Sequence, residues 1–145
     1  MERHIRYVVD GYTTLSEDRI KKALESYLKD LDDEIKVSVD GYEVSLSFRT
    51  REDAKLMTCR DVDKVLSKAG VMAVRVIASK VVTYEYDGPK ESPGGASNGS
   101  DRKLDVNLLI AVLSGLAGYA KGNLIEKSEG IIYSCEKRNG RWVRI

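Results

Sequence analysis

Residues 35–48 read IKVSVDGYEVSLSF, and this stretch decides the fold. Apolar and polar residues alternate on both sides of Asp40-Gly41, which is the pattern of strands with one buried face. Asp-Gly is also a preferred sequence for the tight turn of a two-residue hairpin. The stretch therefore predicts an antiparallel β-hairpin made of two half-buried strands.

Helical patterns lie on both sides of this hairpin. Before it, Thr14 and Glu17 match a capping box, in which each side chain accepts a hydrogen bond from a backbone N–H at a helix start. The apolar residues that follow are spaced for one face of a helix, and they are Ile20, Ala23, Leu24, Tyr27, Leu28 and Leu31. After the hairpin, Thr50 and Asp53 predict the start of a second helix that ends at Gly70.

Strands are predicted at both ends of this part of the chain. Residues 5–9 form a strand that ends at Asp10-Gly11, and residues 71–86 form a long strand. That strand is expected to bend or bulge near Ala78-Ser79, because straight strands of this length are unusual. The order over residues 1–88 is β-α-β-β-α-β, which is typical of a ferredoxin-like sandwich with both helices on one face of the sheet. The predicted fold class is α+β.

The rest of the chain extends this domain. Residues 89–103 contain both prolines and are rich in glycine and serine, so they cannot bury enough apolar surface to order themselves and predict a flexible loop. Residues 104–120 are the most apolar stretch and predict a third helix. A final β-hairpin is predicted through Asn139-Gly140. We expect residues 104–145 to pack on the same domain.

Composition limits the class and the location of the protein. A length of 145 residues with 42% apolar residues is enough for one domain with a core of its own. There is no uninterrupted apolar window of about 18–20 residues, which argues against a membrane span. Cys59 and Cys135 lie far apart without companion metal ligands, a pattern that favours idle thiols in a reducing, cytoplasmic compartment. The absence of glutamine with 32% charged residues is typical of thermophilic proteins.

Few residues in the sequence suggest catalysis. His4 is the single histidine, and so near the N-terminus it is expected to be frayed and solvated. Two acidic clusters, Asp30 to Glu34 and Asp61 with Asp63, could hold Mg²⁺, although a solvated helix end and a polar helix face are the favoured interpretations. Asp10, at the predicted end of the first strand, is a slightly better candidate than these clusters, and an ordinary turn residue is the alternative. We therefore predict no catalytic residue, no metal site and no cofactor, and lean against an enzyme.

Two surfaces are candidates for binding a partner. The predicted third helix carries a stripe of small residues, Ala111, Ser114, Gly115 and Gly118, which would let another backbone approach closely. This helix is expected to cover the second face of the sheet, to meet a second copy of the chain, or both. The other surface is the basic C-terminal hairpin, with Lys137, Arg138, Arg141, Trp142 and Arg144.

Arginines of such a hairpin can contact phosphates and its tryptophan can stack on a base, although an ordinary turn with an inward tryptophan has the same sequence. The predicted function is a non-catalytic binding and assembly module that forms homo-oligomers through residues 104–120. The alternatives are a nucleic-acid-binding accessory protein that uses the hairpin and a metal-dependent nuclease centred on Asp10. No membrane partner is expected.

Overall fold

The computed structural model describes residues 1–32, 34–85 and 124–145, which form a six-stranded antiparallel sheet and two helices. The strands are β1 (Glu2–Thr13), β2 (Lys36–Asp40), β3 (Glu43–Arg51), β4 (Val71–Glu85), β5 (Leu124–Arg138) and β6 (Arg141–Arg144), and the helices are α1 (Glu17–Tyr27) and α2 (Cys59–Lys68). The strand order is β2-β3-β1-β4-β5-β6. The α+β class is confirmed. The predicted loop over 89–103 and helix over 104–120 lie outside the described residues.

Neither of the two described helices is long and apolar enough to cross a membrane. Each contributes two fully buried side chains to a single core cluster, Ile20 and Leu24 from α1 and Val62 and Leu66 from α2. On the sheet, the rings of Tyr7 and Phe48 stack with their centroids 5.0 Å apart. Because all these side chains belong to one cluster, both helices lie on the same face of the sheet.

The central hairpin forms as the sequence predicts. β2 pairs with β3 from Lys36 to Asp40, and the inward residues Val44, Leu46 and Phe48 are buried. Asp40 pairs with Glu43, so the two turn residues lie one position later than Asp40-Gly41. This hairpin carries the apolar row against which the helices pack.

The first strand is longer than the sequence indicated. It does not end at Asp10-Gly11 but continues to Thr13, with a register shift against β4 between Asp10 and Gly11. The backbone of Gly11 lies so close to β4 that a Cβ there would collide with the carbonyl oxygen of Met72. The glycine therefore permits a β-bulge and does not reverse the chain.

The helices also begin later than predicted. The N-cap of α1 is Ser16, not Thr14, and its Oγ accepts a hydrogen bond from the backbone N–H of Arg19 at 3.3 Å. The predicted start of α2 at Thr50 is wrong, because β3 runs on to Arg51 in register with β1. Pairing with a distant strand outweighs the local helix-start signal there.

A capping box at Thr58 starts α2. The hydroxyl of Thr58 accepts a hydrogen bond from the backbone N–H of Asp61 at 3.1 Å, and the Asp61 carboxylate accepts one from the Thr58 N–H at 3.0 Å. The latter bond holds the pKa of Asp61 below its ordinary value. The β-branched Thr58 thus marks the true boundary of the helix.

Replacing Thr58 with alanine is expected to lower the free energy of unfolding by about 1 kcal/mol, because the N–H of Asp61 loses its acceptor. Urea denaturation at neutral pH measures this change. Thr58→Ser keeps the hydroxyl and is the matched control, for which we expect a smaller loss. Equal stability of the alanine variant and the wild type would show that the cap contributes nothing.

Two buried tyrosines hold the segment that precedes α2. The hydroxyl of Tyr7 accepts a hydrogen bond from the Met57 N–H at 2.9 Å, and Tyr133 donates one to the Met57 carbonyl oxygen at 2.7 Å. Burial raises the pKa of both tyrosine hydroxyls, so they stay protonated at neutral pH. The start of α2 is thereby fixed to both β1 and β5.

The C-terminal hairpin is confirmed and belongs to the main sheet. β5 pairs with β4, and the register shifts between Ala78 and Ser79 because β5 carries an extra residue, Ile132. The bulge therefore lies on β5 and not on β4 as predicted, since β4 keeps its register with β1 there. Asn139 and Gly140 both have positive φ angles, 51° and 75°. Positive angles at both turn residues are characteristic of the type I′ turn that Asn-Gly favours.

The two cysteines are not idle thiols, contrary to the sequence-based expectation. Cys59, at the start of α2, and Cys135, on β5, form a disulfide with their Cα atoms 6.7 Å apart. The side chain of Cys135 points into the core beneath α2, where it is 1% exposed. The argument for a reducing compartment therefore no longer holds, and a cytoplasmic location stays a prediction.

Candidate functional site

A groove of about 530 Å³ opens at one end of the sheet. β1 and β4 place Tyr12 and Met72 there as directly paired residues. The turn between β2 and β3 adds Tyr42, whose carbonyl oxygen accepts a hydrogen bond from the Thr13 N–H at 2.9 Å. The groove is thus formed by the ends of β1 and β4 and by the turn between β2 and β3.

One wall of this groove is apolar and open to solvent. Tyr42, Met72 and Tyr12 are 73%, 62% and 48% exposed. Single exposed apolar side chains are common on protein surfaces, whereas adjacent ones that line a groove are typical of interaction sites. This wall therefore has the properties of an interaction surface for an apolar partner segment.

The other end of the groove is polar and includes one residue of the predicted basic hairpin, Lys137. Asp63 on α2 accepts a hydrogen bond from Trp142 Nε1 at 3.0 Å and pairs with Lys137 Nζ at 3.2 Å. Lys137 Nζ also lies 5.2 Å from the centroid of the Trp142 ring, within range of a cation–π contact. Lys137 and Asp63 both line the groove.

The remaining hairpin residues do not join this group. Arg138 pairs with Glu136 at 2.8 Å, and the Arg144 guanidinium lies 5.5 Å from the centroid of the Tyr133 ring. Arg141 is exposed at the turn. Most basic and aromatic side chains of the hairpin therefore make contacts within the chain. Trp142 is partly buried against the core.

Asp10 lies on β1 at the register shift against β4, next to two polar groups. Its Oδ1 accepts a hydrogen bond from Ser45 Oγ at 2.9 Å, and its register partner on β4 is Arg75. Among the described residues, Asp10 belongs to no group of three potential metal ligands. Its surroundings are those of a hydrogen-bonded surface carboxylate.

The open face of the sheet, opposite the helices, carries buried polar side chains that the sequence analysis missed. His4 is 3% exposed within β1, so the expectation of a frayed, solvated histidine is wrong. The strand is ordered from Glu2 onward because it pairs with β3 and β4, placing His4 opposite Arg51 and Val81. The alternation of Glu2, His4 and Arg6 was the available signal.

Beside His4 lies an ion-pair group centred on a buried carboxylate. Glu126 is bound by Arg6 and, at 2.9 Å, by Arg49. Arg49 also donates a hydrogen bond to Thr83 Oγ1 at 2.7 Å. Burial of these charges is tolerable because each is paired and hydrogen-bonded.

Comparisons of the chain with protein-family models, with curated proteins and with solved structures found no match in any of the three.

Proposed function

We propose that the protein is a non-catalytic binding and assembly module that self-associates through residues 104–120. We further propose that its framework, from β1 to β4 with the two helices, is a ferredoxin-like sandwich. The succession of elements and the placement of both helices on one sheet face support this framework.

The observation that carries the assembly proposal is the apolar composition of residues 104–120. The buried cluster between the sheet and the helices is formed by residues from β1, α1, β2–β3, α2, β4 and β5. Residues 104–120 contain a single charged residue, Asp105. A stretch this apolar has to be covered by another surface, either this core or a second copy of the chain, and the proposal takes the second copy.

The groove supports the same proposal, because it offers a surface to which residues 104–120 of a second copy can bind. Its apolar wall offers exposed aromatic and methionine side chains to a partner, and methionine adapts its shape to varied apolar surfaces. We place the apolar stretch of a second copy in this groove. Two copies that exchange such contacts would form a symmetric pair in which each contact occurs twice.

Sedimentation at micromolar concentration tests the proposal. We expect a wild-type oligomer, and we expect both Gly115→Leu and Met72→Lys to shift it toward monomer with an unchanged far-UV spectrum. An added side chain in a close contact typically costs about 1–3 kcal/mol, and a lysine in an apolar contact leaves a charge without solvent.

Two matched controls distinguish the loss of a contact between copies from the general effect of a new surface leucine or lysine. Gly99→Leu makes the same substitution outside the stripe of small residues. Ile131→Lys places a lysine on a strand residue that is 66% exposed, against 62% for Met72. Both controls should sediment as the wild type does. A monomeric wild type contradicts the proposal, and unfolding of Gly115→Leu assigns the stretch to its own chain, for instance to the open face of the sheet.

A further inference from the structure

Three side chains with metal-ligating atoms meet on the open face of the sheet, away from the groove. They are Glu2, His4 and Asp32, each of which offers one ligand atom within 4.8 Å of the other two. Asp32 Oδ2 lies 2.6 Å from His4 Nδ1, and Glu2 Oε1 lies 3.9 Å from His4 Nε2. The assembly proposal makes no use of this cluster.

The imidazole at its centre is buried and unsatisfied. His4 is 3% exposed, and neither of its ring nitrogens has a hydrogen-bond partner. The close Asp32 oxygen is not aligned for a hydrogen bond, although the distance alone would allow one. Buried polar atoms in native proteins are nearly always satisfied, and a bound ion is one of the few explanations for an exception.

Backbone hydrogen bonds to β3 hold two of these ligands, His4 from β1 on one side and Asp32 on the other. His4 lies in the middle of the sheet, paired with β3 on one side and β4 on the other. Asp32 is fixed by its backbone N–H, which donates a hydrogen bond to the Arg49 carbonyl oxygen at 2.9 Å. Glu2 precedes His4 by two residues and therefore lies on the same face of β1.

The charges around the cluster favour a cation. Among the described residues, neither Glu2 nor Asp32 is paired with a lysine or an arginine. The nearby Arg6 and Arg49 are bound to Glu126 instead. Two carboxylates that face one imidazole without a basic partner leave negative charge to be neutralised.

We propose that Glu2, His4 and Asp32 bind a divalent metal ion such as Zn²⁺. One imidazole nitrogen with two carboxylate oxygens is a ligand set that Zn²⁺ accepts, at ligand distances of about 2.0–2.2 Å. Tetrahedral ligands at that distance are about 3.3 Å apart. Asp32 Oδ2 lies closer than this to His4 Nδ1, and Glu2 Oε1 lies 3.9 Å from the other ring nitrogen, Nε2, so both carboxylates have to move for one nitrogen to share the cation with them. Glu2, with a side chain 77% exposed, is free to close the remaining gap.

Three protein ligands leave the fourth position of the cation to water. No other histidine and no free thiol competes for the metal ion within the chain. His4 is its single histidine, and both cysteines are held in the disulfide. An imidazole signal from a bound metal can therefore come from His4 alone.

Calorimetric titration of the full, oxidised chain with Zn²⁺ tests the site. We expect one equivalent to bind, and Mg²⁺ at the same concentration to bind much more weakly, because it does not favour nitrogen ligands. His4→Gln and Asp32→Asn should each weaken Zn²⁺ binding at least about tenfold. Glu43→Gln, which alters an exposed strand carboxylate outside the cluster, should leave binding unchanged.

The visible spectrum of the Co²⁺-loaded protein is the second readout, and it should change in His4→Gln. Failure of the wild type to bind one equivalent of Zn²⁺ overturns the proposal. So does unchanged binding by His4→Gln, which would assign the cation to the carboxylates or the α-amino group. Should His4→Gln fail to fold, Zn²⁺ binding by the carboxylate variants Glu2→Gln and Asp32→Asn tests the site instead. Unchanged binding in both variants overturns the proposal.

Discussion

Replacing both Cys59 and Cys135 with alanine is expected to lower the free energy of unfolding by about 4 kcal/mol. The disulfide joins residues 76 positions apart, and closing a loop of that length removes much conformational freedom from the unfolded chain. A small domain has a total stability of only about 5–15 kcal/mol. The bond is therefore expected to supply a substantial part of the stability of this protein.

Urea denaturation without reductant, compared for the wild type and the double variant, measures the effect. Reduction of the wild type provides the internal control, since its stability should fall to nearly that of the variant. The native oxidised protein should also show no free thiol on titration. A double variant within about 1 kcal/mol of the oxidised wild type would show that the loop constraint contributes little.

The second large effect is expected in the core beneath α1, where Leu24→Ala should cost about 2–5 kcal/mol. Leu24 is 0% exposed, so the substitution leaves a cavity that the surrounding side chains fill only in part. Chemical denaturation of the variant against the wild type gives the value.

Glu25→Ala is the matched control, because it shortens the next residue of the same helix on the exposed side. Its effect should stay within about 0.5 kcal/mol. A loss below about 1 kcal/mol for Leu24→Ala would contradict the contact between α1 and the sheet, and with it the layered arrangement.

The elements that the sequence predicts well are those whose signal is local. The alternation of residues 35–48 around Asp-Gly predicts the hairpin, because both strands and their connection are adjacent in sequence, and only the turn lies one residue later than predicted. The same holds for the hairpin through Asn139-Gly140, whereas the bulge expected in β4 near Ala78-Ser79 lies instead on the paired strand β5. The apolar face of α1 is likewise read directly from its spacing.

The boundaries fail where a distant strand decides the conformation. Gly11 reads as a turn, yet β1 continues through it, packed against Met72 of β4 at a bulge whose extra residue lies on β4. Thr50 and Asp53 read as a helix start, yet β1 keeps residues 49–51 extended. Neither partner is visible in the local sequence.

The candidate sites depend even more on long-range contacts. The groove brings together Tyr12, Tyr42 and Met72 from separate parts of the chain, and the sequence analysis named none of them as site residues. His4 and Asp32 become neighbours only across β3. The hairpin residues Lys137 and Trp142 were named, but their contact with Asp63 on α2 could not be foreseen.

The addition of β5 and β6 to the sheet has a consequence for the solubility of the protein. β4 is 15 residues long, and without β5 it would present a row of unpaired N–H and C=O groups along that length. Such an edge recruits strands from other molecules and starts aggregation. With β5 and β6 in place, the two outermost strands are β2 and β6, of 5 and 4 residues. These two strands are short and carry Lys36, Arg141 and Arg144, which disfavours further pairing there. Because β6 covers β5 only from Cys135 to Arg138, the protection that residues 124–145 give is the pairing of β4 along its second side.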